Sequence, residues 1–359
     1  MPVNTLAAPA ATTHKKMPMI RKFIFLSLGL VALSVFSAAA AEPLTAEKVA
    51  KAFGFTEDQK KQLYAGEVVS ASLPEVSDKM LATVTVILFP VEPQVVTDAI
   101  MAGRIFAVTR EVDASGEIDP KEPERGLAAA VLTEGDISEV KKILNPSPGS
   151  ELNLSTAEIA FLKKARDEGG VTPENASKSY QQVLAGRVRD YAEGGIKNIA
   201  PYDRGDGEKA CACDDFRIMD GAMEVLAKYY PNLHKAYLNY PHTPFSYEPA
   251  ERFMWERYTI LGRPVFSLSH SMLHERPGVL IWTMREYFAG HEYNASSVAS
   301  GAFGVREGTI FFVSVRATSD QVSGFGGMVK RPIGRTAMLG IVAEFLQDLR
   351  IALTKDNQN

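Results

Sequence analysis

The stretch from Arg252 to Leu353 constrains the fold most, because several strand-like runs follow one another there and end in one long amphipathic helix. Arg263 to His274 and Val279 to Ala289 flank Glu275-Arg276-Pro277-Gly278. Proline presets one turn dihedral and glycine accepts positive φ, so this spacing predicts a hairpin. Alternation assigns the faces. Val265, Ser267, Ser269 and Ser271 make one small, weakly polar face, and the partner strand offers Leu280, Trp282, Met284, Glu286 and Phe288. Small residues opposite bulky ones leave room beneath the bulky ones, which fits a pocket wall and equally an ordinary core layer. Further runs are predicted over His291 to Phe303 and Thr309 to Thr318, with Val305-Arg306-Glu307-Gly308 as the turn. Both faces of the fourth run are apolar, as expected of a central strand covered on both sides. Met338, Ile341, Val342, Phe345, Leu346, Leu349 and Leu353 then form a helical stripe with a period near 3.6. Pro332 suits a first helical turn. A stripe of this kind needs a cover, and the sheet is the surface at hand.

At the other end, Lys15, Lys16, Arg21 and Lys22 precede an apolar run from Phe23 to Phe36, followed by Ser37 and four alanines. A basic head, a short apolar middle and an Ala-x-Ala exit are the parts of a cleavable secretory signal. Cleavage is expected near Ala40 or Ala41, with the product exported to the periplasm. With its alanines the run approaches the length of a membrane span, so an uncleaved anchor is the competing reading. No cysteine stands at the exit for lipid attachment. Translation starting at Met17 or Met19 is compatible with this pattern. Removing the four basic residues of the signal from 39 leaves 35 against 43 acidic ones, a mature balance of −8. That excludes nucleic acid as a partner and argues against an electrostatic grip on anionic membranes, while leaving transient membrane contact open.

The chain in between changes character. Residues 42–135 read as the first part of an α+β domain. Ala46 to Tyr64 has the pattern of a short helical hairpin, and Glu67 to Leu73 and Met80 to Phe89 read as strands. A helix is predicted over Glu92 to Met101, strands over Ile105 to Val112 and Leu127 to Leu132, and a polar loop over Asp113 to Arg125. Residues 136–250 are an insert with helical periodicity. Ser155 caps one helix, and Tyr180, Val183, Leu184, Val188 and Tyr191 mark another that Gly194-Gly195 stops. Residues 251–359 return to the α+β domain with its strands and closing helix. The expected fold class is therefore α+β, a curved antiparallel sheet with a long C-terminal helix across it and a helical insert.

Few residues carry recognisable chemistry. Cys211 and Cys213 are the only cysteines. In an oxidising compartment they can pair, but the ring closes almost no loop and adds little stability. A disulfide, two plain thiols and a redox-active pair all remain open. His270, His274 and His291 lack metal-ligand spacing, and their plain reading is polar residues at a sheet end, so no metal is expected. Gly324-Phe325-Gly326-Gly327 precedes a helix with Lys330, Arg331 and Arg335. A helix start with basic neighbours can hold an anion, and a hinge loop explains the glycines as well. There is no P-loop, dinucleotide fingerprint or serine elbow, so no cofactor is expected and no catalytic residue is assigned.

Two resemblances bear on function. Tyr287 to Gly304, Ser319-Asp320-Gln321-Val322-Ser323-Gly324-Phe325-Gly326 with Lys330 and Ile333-Gly334-Arg335, and Arg187 to Arg204 with Ala200-Pro201-Tyr202-Asp203-Arg204, resemble a group of uncharacterised exported bacterial proteins. That resemblance implies no activity. Over Val68 to Val112 and Arg252 to Leu353, strands followed by one C-terminal helix resemble the START-like, helix-grip fold. This second resemblance implies a cavity for a lipid or another hydrophobic small molecule. The expected ligand-binding residues are Ser269, Trp282, Met284, Glu286 and Phe288, with Arg316 as a possible partner of the Glu286 carboxylate. The alternatives are an enzyme using the same cavity, hydrolase- or cyclase-like, and an envelope structural or partner-binding protein without a cavity.

Overall fold

The computed structural model describes residues 45–102, 112–220, 223–242, 249–260, 262–323 and 327–356. The predicted signal, nearly all of the strand predicted at Ile105 to Val112, and most of the glycine loop at Gly324 to Gly327 lie outside the described residues. The elements run α1 (Ala46–Ala52), α2 (Glu57–Tyr64), β1 (Val69–Ser72), β2 (Met80–Phe89), α3 (Pro93–Met101) and β3 (Val112–Ile118). The insert follows with α4 (Pro123–Leu127), α5 (Ile137–Leu144), α6 (Thr156–Gly169), α7 (Pro173–Gly194), the small hairpin β4 (Tyr202–Gly205) and β5 (Glu208–Ala210), α8 (Ala212–Asp220), α9 (Glu224–Tyr229) and α10 (Pro231–Asn239). The chain closes with β6 (Ala250–Ile260), β7 (Arg263–Arg276), β8 (Val279–Ala289), β9 (Ala295–Val305), β10 (Gly308–Thr318) and α11 (Gly327–Asp356).

The fold is α+β. One antiparallel sheet of eight strands runs in the order β1-β2-β10-β9-β8-β7-β6-β3 and is open at both edges. Local chemistry accounts for much of it. Pro277-Gly278 makes the tight β7–β8 turn, with Gly278 at φ 75°. Gly308, at φ 136°, starts β10 where a Cβ would stand 2.3 Å from the Phe89 carbonyl oxygen. Ser155 and Glu158 form a capping box on α6, and Gly195, at φ 59°, caps the C-terminus of α7.

The sheet has two covered faces. On one, α3 and α11 pack over Ile87, Phe89, Leu273, Leu280, Val298, Ala302, Phe311 and Val313. Leu346, Leu349 and Leu353 of α11 are fully buried there, Val342 and Phe345 are half-buried, and Ile341 is exposed. The contact stripe is thus narrower than the sequence pattern. Pro332 lies inside α11 rather than in its first turn. On the other face, α1 and α2 pack on β2 and β10, and the insert covers β6 to β9.

Two elements differ from the sequence reading. Val112–Ile118 is a strand, not a polar loop, and its alternating exposure is that of an edge strand with one wet face paired to β6. Its Asp, Ser and Gly residues read as turn formers, but pairing overrides propensity. Leu127 to Leu132 is the end of α4 and irregular chain instead of a strand.

A polar network pins the insert to the sheet. Arg204 donates to Asp320 at 3.0 Å, to the Asn153 and Asn294 side-chain oxygens at 2.9 and 3.0 Å, and to the Gly149 carbonyl at 3.0 Å. Lys79 reaches the same Asp320 at 2.7 Å, and Asn294 donates to Asp215 at 3.3 Å. Arg187, buried, pairs with Glu158 at 2.6 Å and lies 4.4 Å over the Phe288 ring. Arg187, Arg204 and Asp320 fall in the segments that carry the first resemblance, and each bridges elements far apart in sequence.

Candidate functional site: an acidic end to an apolar sheet face

The α11 face of the sheet holds the site. β8 contributes Trp282, Met284 and Glu286, and the register aligns them with Leu273, Ser271 and Ser269 of β7. On the other flank, β9 sets Ser300, Val298 and Ser296 opposite the same three residues. The bulky side chains of β8 therefore stand between rows of mostly small residues. Trp282 and Met284 pack against the cluster that α11 completes, and the Trp282 indole N–H donates to the Ser271 hydroxyl at 3.0 Å.

At the end of this row the chemistry becomes polar. Glu286 is buried, and the Tyr258 hydroxyl donates to its Oε1 at 2.9 Å. Tyr293 hydrogen-bonds the same carboxylate and also Tyr258. Burial raises the Glu286 pKa, while the tyrosine hydroxyls pull it back by solvating the charge. A second carboxyl, Glu256 on β6, faces Ser267 across the β6–β7 pair. Burial, and then the neighbouring Glu286 charge, push Glu256 up to about 7. Two carboxyls this close do not both ionise readily. Burial favours the neutral form of both carboxyls, and the hydroxyl donors favour the charged form of Glu286 alone. Ser267, 1 % exposed, adds a third hydroxyl beside the Glu286 carboxylate. The arrangement can take a donor or a polar head at the acidic end and an apolar body along Trp282 and Met284. It can also move a proton through Glu256.

The structure brings Ser269, Trp282, Met284 and Glu286 together and separates Phe288 and Arg316 from them. Leu268 pairs with Phe288 and Ser269 with Glu286, so Tyr287 is an extra residue in β8, a bulge. The bulge turns Phe288 to the insert face, where it meets Arg187, and Tyr287 stacks on Tyr191 at 4.0 Å. Arg316 shares the face of Phe312 and Ser314 and donates to the Ser314 hydroxyl at 3.1 Å. Its cross-strand neighbour Ser297 bonds Tyr237 of the insert. Arg316 is therefore not the partner of Glu286; Tyr258 and Tyr293 are. Sequence reasoning missed Glu256, Tyr258 and Tyr293. The alternation of Met254, Glu256 and Tyr258 against Phe253, Trp255 and Arg257 was a usable signal in β6.

The other candidate residues are engaged separately. Cys211 and Cys213 form a disulfide, so their sulfurs are not free to bind a metal with the nearby Asp214. His270 Nδ1 meets the Tyr191 hydroxyl at 3.2 Å, His274 lies against the Tyr230 ring, and His291 bonds Glu292 at 3.0 Å. The three histidines occupy three neighbourhoods rather than one ligand set.

No family model matches this chain, and neither a curated protein nor a solved structure matches it significantly.

Proposed function

We propose that the protein is exported to the periplasm and there binds or carries a hydrophobic small molecule or lipid on the α11 face of its sheet. The polar end of the ligand meets Glu286 and its tyrosines, and the body lies along Trp282 and Met284. The observation that carries this reading is the buried Glu286 at the end of an apolar row, held by hydroxyl donors. A buried carboxylate on such a face is costly unless it has work with a partner or ligand. Strands followed by a long helix lying across the sheet also agree with the helix-grip likeness of the sequence. One observation favours an enzyme in the same place. Glu256, pushed up to about 7 beside the Glu286 carboxyl, has the pKa of a general acid or base working near neutrality.

Native mass spectrometry of the protein taken from periplasmic extract tests the reading by looking for a co-purifying lipid. Trp282 fluorescence should respond to added fatty acid. Ser269→Trp, which places a bulky ring beside Glu286, should abolish that response and leave the melting transition in place. If no lipid travels with the protein and no apolar ligand perturbs Trp282, the face is plain core.

A further inference from the structure

The disulfide between Cys211 and Cys213 is placed for exchange rather than for support. The bond encloses a single residue, Ala212, so it constrains the unfolded chain very little. The helix that follows is held by other groups. Phe216 and Met219 of α8 are fully buried, Asp215 accepts from Asn294 at 3.3 Å, and Asp220 accepts from Arg285 at 2.8 Å. Both cysteines are partly exposed. Cys211 immediately precedes α8. Its carbonyl accepts the Asp214 N–H at 3.0 Å, and its sulfur accepts the Cys213 N–H at 3.2 Å. The Asp214 carboxylate lies near both sulfurs, and its ion pair with Arg217 offsets its charge.

We propose that this pair is a redox-active disulfide that oxidises dithiols in peptide or protein chains. One thiolate of the dithiol attacks Cys213 Sγ. The S–S bond breaks, and its electron pair leaves on Cys211 as a thiolate. The second thiol of the dithiol then gives its proton to water and attacks its own partner sulfur in the mixed disulfide, which releases Cys213. Two electrons pass from the dithiol to the pair, and the thiol protons pass through water. Cys211 sets the direction. An N–H donor and a helix start lower a thiol's pKa, and the more acidic thiol leaves faster. Stabilising the reduced pair makes its disulfide the stronger oxidant. A bond that adds little to the fold also opposes its own reduction little.

The test uses the full chain with its disulfide formed and a peptide carrying two cysteines as the dithiol. Peptide oxidation, followed by mass, should run about tenfold or more faster than with oxidised glutathione at the same concentration. Replacing both cysteines by alanine should abolish it and leave the melting transition in place. Single variants separate the sulfurs. Near neutral pH, Cys211 in Cys213→Ser should react with iodoacetamide about threefold or more faster than Cys213 does in Cys211→Ser. If a single variant does not fold, mapping the alkylated sulfur on briefly reduced wild type gives the same comparison. Four outcomes overturn the proposal: peptide oxidation no faster than by oxidised glutathione, a Cys211 thiol no more reactive than Cys213, a bond that dithiothreitol leaves intact in the folded protein, or a double-alanine variant that melts far below wild type.

Discussion

Replacing Glu256 by glutamine should leave stability unchanged in acid and raise it at alkaline pH, as expected of a carboxyl whose proton the folded state holds. Moving this carboxyl from its ordinary 4.5 to about 7 corresponds to about 3 kcal/mol, at about 1.4 kcal/mol per pH unit. The folded state binds the proton more tightly than the unfolded one. The stability due to this group is therefore complete below about pH 4.5 and is lost as pH rises through about 7. His234, His270 and His274 act in the opposite direction over an overlapping range. Burial lowers their pKa values, so they cost stability as pH falls below 6.5. The wild-type curve alone sums these effects, and the difference between wild type and Glu256→Gln isolates one of them. Urea unfolding at a series of pH values measures it. The two proteins should be about equally stable near pH 4.5, where both side chains are neutral. By about pH 8 the glutamine variant should be more stable by about 2–3 kcal/mol, slightly less than the full figure because Glu256 is only half-buried. A difference that stays flat with pH, or a glutamine variant that is weaker at high pH, would mean that Glu256 is ionised in the fold and the acidic end is not as described.

Three further outcomes are expected. Leu349→Ala, at a fully buried position of α11, should cost about 2–5 kcal/mol by chemical denaturation, and the half-buried Phe345→Ala should cost less than a fully buried ring would. Arg187→Met strands the Glu158 carboxylate and should lose about 3–5 kcal/mol at neutral pH; a loss under about 1 kcal/mol would mean that this pair does not anchor the insert. N-terminal sequencing of the exported protein should begin near Glu42, and a chain that keeps Phe23 to Phe36 in the membrane pellet would contradict the signal reading.

Elements whose cause is local were legible from residues alone. Met80 to Phe89 and Val279 to Ala289 were placed at the bounds now observed because an apolar run ended by Pro90, and an alternating run opened by Pro277-Gly278, carry their own stops. The capped start of α6 and the glycine stop of α7 are of the same kind. The grouping of Ser269, Trp282, Met284 and Glu286 also followed, because alternation and one tight turn fix a register over a short distance. The edge strand Val112–Ile118 did not, since its residues favour turns and only pairing with β6 makes them a strand.

The sequence by itself determined the class of fold, the hairpin register up to Glu286 and the need for a helix across the sheet, since each depends on neighbours a few residues apart. Only the tertiary structure decided which groups meet from afar. At the Tyr287 bulge that ring stacks on Tyr191 of the insert, and the bulge sends Phe288 away from the face that simple alternation gives it. Glu286 meets Tyr258, Tyr293 and Glu256, and Arg285 meets Asp220, across separations that no local period encodes. A buried charge takes its partner from whatever the packed chain brings within reach, and that is fixed only when the sheet and insert close on each other.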